Sequence, residues 1–110
     1  MRKETAKIAA AFKAGKPAKG ARTHTDGQSV WLHGNMIAQR RDDGFVMLTL
    51  AGWNSPTTRE RLNGIAQTLG LQVRFCQRNH CAVMRELVAG EWREGQIDPR
   101  DMLGFKAEVA

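Results

Sequence analysis

Residues 45–70, FVMLTLAGWNSPTTRERLNGIAQTLG, limit the possible folds more than any other stretch. A nearly unbroken apolar run stands just before a helix whose two ends are both marked. FVMLTL is short, β-prone and apolar at almost every position, which predicts a central strand hidden on both faces. Ser55 is a good N-cap, Pro56 suits the first helical position, and Gly70 is a typical stop. Leu62, Ile65, Ala66 and Leu69 recur at helical spacing and form one apolar stripe. A helix with one such stripe, leaving a strand, is expected to lie on a sheet. Glu60, Asn63 and Gln67 fall opposite the stripe, with Arg59 and Arg61 on its flanks. That mixed exterior is unlike a helix that enters a DNA groove, so both arginines are expected as solvated flanks. The competing reading is that Arg59 or Arg61 helps to hold phosphate near the helix start, where amide donors gather.

The remaining pattern predicts more strands on either side. QSVWLH and MIAQRR flank HGN, a tight-turn signal, and DDG at 42–44 separates the second of them from FVMLTL. LQVRFCQ at 71–77 alternates, with Leu71, Val73 and Phe75 on one side. CAVMRELV at 81–88 is a fifth strand. A loop or short edge strand is expected around Trp92, and DPRDMLGF predicts a last helical turn. The fold class is therefore α+β. About five antiparallel strands run in the order β-β-β-α-β-β, with one helix packed on a face. Trp53, just before the helix cap, is expected to plug the space between sheet and helix.

Charge divides the chain. The protein has a net charge of +6, yet residues 26–110 hold ten basic and ten acidic side chains. Residues 1–25 carry Arg2, Lys3, Lys7, Lys13, Lys16, Lys19 and Arg22 against Glu4 alone. Ile8 and Phe12 share a face, so residues 2–13 can form a helix. Residues 14–27, with three glycines, a proline and few large apolar groups, are expected to be a linker or loose loop. This divides the chain into a basic helix or arm with its linker, 1–25, and a single α+β domain, 26–110. Such an arm attracts polyanions. Lys7 and Lys13 interrupt any signal-peptide core, and no apolar run approaches the roughly 18 residues of a membrane span. The expectation is a cytoplasmic protein with no membrane association. A core this small also leaves room for a homodimer.

Sites for chemistry are weakly signalled. Cys76, His80 and Cys81 lack the spacing of a zinc knuckle, so no metal is expected. His80 and Cys81 are neighbours on a strand or turn and would point apart, which argues against a catalytic dyad. Phosphate-cradling glycine loops and the nucleophile-elbow motif are absent. The expectation is a non-enzymatic protein without a cofactor.

LHGNMIAQRRDDGFVMLTLAGWNSPTTRERLNGI resembles a family of small, uncharacterised bacteriophage and prophage proteins. Their recurrent pattern is G-N-x-I-A, a turn, an apolar strand, then a tryptophan followed by T-T-x-x-R-L-N. It falls here on Gly34, Asn35, Ile37 and Ala38, then on Trp53, Thr57, Thr58, Arg61, Leu62 and Asn63. Trp92 matches the tryptophan that often closes such proteins. The resemblance covers about residues 32–65 and carries no activity. It implies a phage gene product acting in the bacterial host cytoplasm as an accessory factor. Two functions are expected from it and from the charge. One is DNA or RNA binding through the basic arm, helped by Arg40 and Arg41. The other is binding and modulation of a host bacterial protein in defence, replication or transcription, with Arg59, Arg61, Asn63 and Trp92 as candidate contacts.

Overall fold

A computed structural model describes residues 1–106. Helix α1 spans Lys3–Ala14. Strands β1 (Ala18–Lys19), β2 (Thr23–Thr25), β3 (Ser29–Leu32), β4 (Asn35–Arg40) and β5 (Phe45–Leu48) follow. Helix α2 is Pro56–Leu69, and β6 (Val73–Arg78), β7 (Cys81–Val88), β8 (Glu91–Gln96) and β9 (Leu103–Lys106) complete the order. The class is α+β, with antiparallel sheets and the N-terminal helix in place. Instead of one five-stranded sheet there are two, a six-stranded β1-β2-β3-β4-β5-β9 and a three-stranded β6-β7-β8.

Local chemistry accounts for most of these elements. The Ser55 hydroxyl accepts the Thr58 amide at 3.2 Å, and Pro56 opens α2. Both helices end on a left-handed glycine, Gly15 and Gly70, with paired amide bonds back to the last turn. Four turns place two successive residues at positive φ: His33-Gly34, Ala51-Gly52, Asn79-His80 and Ala89-Gly90. Three of them close two-residue hairpins, for which this handedness matches the twist of the strands.

Residues 14–27 are not a linker. They carry β1 and β2, which extend the meander beyond β3. Nor is 1–25 separate from the body. Thr5, Ile8, Ala9 and Phe12 are buried, and the hydrophobic core unites Ile8 and Phe12 with Val30, Leu48, Leu62 and Phe75. Gly64 permits this docking, because a Cβ there would strike the Thr5 methyl. Helix α1 therefore widens the buried face of α2 beyond its apolar stripe, to Thr58, Arg61 and Gly64.

Three further expectations fail for identifiable reasons. Strand β5 buries Val46 and Leu48 on one side only, while Phe45 on the other is 38% exposed, because both helices lie on the same side of the sheet. DPRDMLGF makes a turn, with the Asp101 amide on the Asp98 carbonyl, and then a strand, because pairing Leu103 with Leu48 and Phe105 with Val46 satisfies the backbone as a sheet edge. Trp53 is 61% exposed and caps no interface. It lines a pocket of about 360 Å³ together with Leu32, Asn35, Ile37, Leu50 and Thr58.

Candidate nucleic-acid interface

The surface of α1 follows from its buried side. Ile8, Ala9 and Phe12 face the core, so Lys3, Lys7 and Lys13 fall within an arc of roughly 120° on the opposite side. Lys16, Lys19, Arg2 and Arg22 continue the charge around the helix ends and the β1–β2 hairpin, and all seven side chains are exposed. Lys7 Nζ donates to the Lys19 carbonyl at 2.8 Å, tying helix to hairpin. Among the described residues, none of the seven forms an ion pair with a carboxylate.

The segment's one acid is turned inward. Glu4 accepts the backbone amides of Ala21 at 3.2 Å and Arg22 at 3.1 Å, and pairs with Arg61 Nη2 at 3.3 Å. Hydrogen bonding from the Thr23 hydroxyl, then from the Arg22 amide, with the Arg61 charge, outweighs burial and holds its carboxyl down at about 2. Arg61 is the centre of this cluster. It is 3% exposed, donates from Nε to Thr23 and from Nη1 to Thr5 at 2.9 Å each, and also meets Glu60. The expected solvated flank is thus a buried junction of α1, α2 and β2. Helix periodicity on α2 alone could not show it, because its partners Glu4, Thr5 and Thr23 lie on other elements.

Other sequence candidates are also drawn inside. Arg40 points to the helix side of the sheet. It donates to the carbonyls of Phe12 at 2.7 Å and Gly27 at 2.8 Å, and its guanidinium lies 4.7 Å from the Phe12 ring centre. It therefore binds the C-terminal end of α1, where carbonyls and the helix dipole favour a cation, and does not join the basic surface. Asn63 is spent on Phe75, donating to its carbonyl at 3.0 Å and accepting its amide at 2.7 Å. Arg59 donates to the carbonyl and side-chain oxygens of Asn54. Arg41 stays at the surface beside Asp43 at 3.4 Å. Trp92 is 47% exposed on β8, with the Arg85 guanidinium 5.3 Å from its ring.

Cys76 and Cys81 are free thiols. Among the described residues, no three His, Cys, Asp or Glu side chains converge to hold a metal ion. No helix among them is long and apolar enough to cross a membrane.

The basic segment and the body it docks on also belong together in comparison with known proteins. A family described as Kyanoviridae Gp96 protein matches residues 1–98, from α1 through β8. The chain belongs to this family. It is a phage protein, in keeping with the phage resemblance of residues 32–65. The Gp96 match spans the entire cationic surface and all of α2, and stops before β9. No curated protein and no solved structure matches the chain.

Proposed function

We propose that this phage protein is a non-enzymatic accessory factor that binds nucleic acid, and that it does so through an ordered cationic surface on α1 and the β1–β2 hairpin. One observation carries the reading. Seven exposed cations share that surface while Glu4, the only acid of the segment, is turned inward against Arg61. Ordered lysines lose less entropy on meeting phosphate than lysines on a mobile arm, and they release counterions all the same. The host cytoplasm is the compartment where such a ligand would be met.

The test is a titration of labelled DNA and RNA by the full chain at several salt concentrations. Deleting 1–25 is the wrong control, because it would uncover the core around Phe12 and Ile8. Reversing two charges on the outer face, Lys3→Glu with Lys13→Glu, leaves the core and the Lys7 tie to the hairpin intact. Binding should weaken steeply as salt rises, and the double variant should lower the log–log salt slope by about 1 to 2. Affinity that ignores both salt and the substitutions refutes the proposal.

The exposed Trp53 and its pocket favour a second reading, in which the protein binds and modulates a host protein. Retention of one stoichiometric host protein from nuclease-treated lysate, lost in Trp53→Ala, would support it. Equal retention by the variant would remove that role for the pocket.

A further inference from the structure

The helices cover one side of the six-stranded sheet. Among the described residues, no element covers the other. Register shows what stands there. Lys19 pairs with His24, His24 with Trp31, and Trp31 with Met36, so these four side chains form one row across β1 to β4. Thr23 and Thr25 on either side of His24 are buried, as are Val30 and Leu32 around Trp31, so the row points away from the core. The rings of His24 and Trp31 stack with centres 4.9 Å apart and planes 13° apart. No strand of this sheet contains an aspartate or a glutamate. Lys19 is shared between this row and the cationic surface, so the two meet at the β1 edge.

We infer that the uncovered face of this sheet is a platform for single-stranded nucleic acid, with an unpaired base stacking on the His24–Trp31 pair and its phosphates running toward Lys19 and Arg22. The inference rests on the nucleic-acid reading of the N-terminal surface and narrows its ligand. A stacked pair of aromatic rings on strands without acids, beside Lys19, supplies the two things a single strand needs, a π-surface for bases and a cation for the backbone. A duplex keeps its bases stacked on one another and gains nothing from the rings. Lysine is depleted at protein–protein interfaces, so Lys19 beside the rings favours a nucleic-acid strand over a protein partner.

The experiment uses the full chain and labelled oligonucleotides of about 16 nucleotides, oligo-dT, oligo-U and a duplex of equal length. His24 is exposed and its ring stacks on Trp31, so His24→Ala leaves the core intact. The variant should bind oligo-dT and oligo-U about fivefold or more weakly while duplex binding stays unchanged. Trp53→Phe with Trp92→Phe, both at exposed positions, leaves Trp31 as the only tryptophan. Its fluorescence should then be quenched by single strands. Unchanged single-strand affinity in His24→Ala, or unquenched Trp31, overturns the platform. The lysine reversals keep the two ideas apart. If they leave binding intact while His24→Ala weakens it, the cationic surface fails and the platform stands. The opposite pattern removes the platform alone, and a wild-type chain that ignores every oligonucleotide at low salt removes both.

Discussion

The two sheets use charge in opposite ways. In the three-stranded sheet, acids and bases are interspersed. Glu94 on β8 pairs with Arg78 at 2.9 Å and lies 3.8 Å from Arg85, and Glu86 stands opposite Arg93. The ion pairs there form within the sheet, at its surface, around Glu94. Around the six-stranded sheet the carboxylates Glu4 and Glu60 lie on the helices and turn toward one buried arginine, while the lysines outside stay unpaired among the described residues. The first arrangement attracts ions of either sign weakly. The second leaves an excess of one sign exposed, the condition for long-range steering of an oppositely charged partner. On the proposed nucleic-acid reading, Arg78 and Arg85 are the poorer phosphate contacts and Lys3, Lys7 and Lys19 the better, although all of them are exposed or partly so.

The edges of the sheets differ in the same spirit. The turn at Asn79-His80 makes Arg78 and Cys81 the closing pair, which directs the Phe75 amide and carbonyl outward along β6. Asn63 satisfies both, acting as a one-residue substitute for a neighbouring strand. At the other edge, every residue of β8 is exposed.

The sharpest test of the contrast between buried and surface arginines sets Arg61→Ala against Arg78→Ala. Removing Arg61 strands Glu4, Glu60, Thr5 and Thr23 at a junction of three elements, and is expected to cost about 3 kcal/mol or more. Removing Arg78 breaks an exposed pair and is expected to cost less than about 1 kcal/mol. Urea unfolding of both variants measures this, and equal losses would erase the distinction. A lysine at position 61 should not rescue, because an ammonium cannot reach the same four partners in one plane. Next in size is Asn63→Ala, which leaves a backbone donor and an acceptor at the β6 edge without protein partners. A loss of about 1–2 kcal/mol is expected, together with a rise in self-association seen by sedimentation. If Asn63→Ala is as stable and as monomeric as the parent, the plugged edge has no consequence.

What the sequence revealed and concealed divides along the same line. Local signals were readable: the Ser55-Pro56 start and Gly70 stop of α2, the turns at Gly34 and Gly44, and the strands on either side. The identity of the cations at the surface was also readable, since Lys3, Lys7 and Lys13 oppose Ile8 and Phe12 on any helical wheel. Pairings across many residues were not. Arg61 meets Glu4 from 57 positions away and Arg40 meets Phe12 from 28, and no periodicity within either segment records the partner. Residues 14–27 looked like a linker because their strands are two and three residues long, too short for alternation to show. The His24–Trp31 stack was hidden for the same reason, as it needed the register of β2 against β3.

The smallest effect expected is in acid, and it tests whether the inward acids hold the α1 junction together. Glu4 has an ordinary carboxyl value of 4.5 that folding lowers to about 2. Burial pushes Glu60 up, but the Thr5 hydroxyl, the Arg2 amide and Arg61 together outweigh it, so its shift has the same sign. A lowered folded value means that the unfolded chain takes up the proton first. The contribution of Glu4 is therefore present in full above about pH 4.5 and is lost as pH falls from there toward 2. Glu4→Gln should be less stable than the parent at neutral pH, and the gap should close on acidification. Glu94→Gln offers the matching control on the three-stranded sheet. Its carboxyl is lowered as well, chiefly by hydrogen bonding from Arg78, but it lies in solvent, so salt should screen its contribution where it leaves that of Glu4 largely intact. Unfolding midpoints at stepped pH, in low and high salt, separate the two. Parallel acid curves for the parent and Glu4→Gln would mean that the inward turn of Glu4 clears the outer surface of negative charge without holding the helix to the sheet.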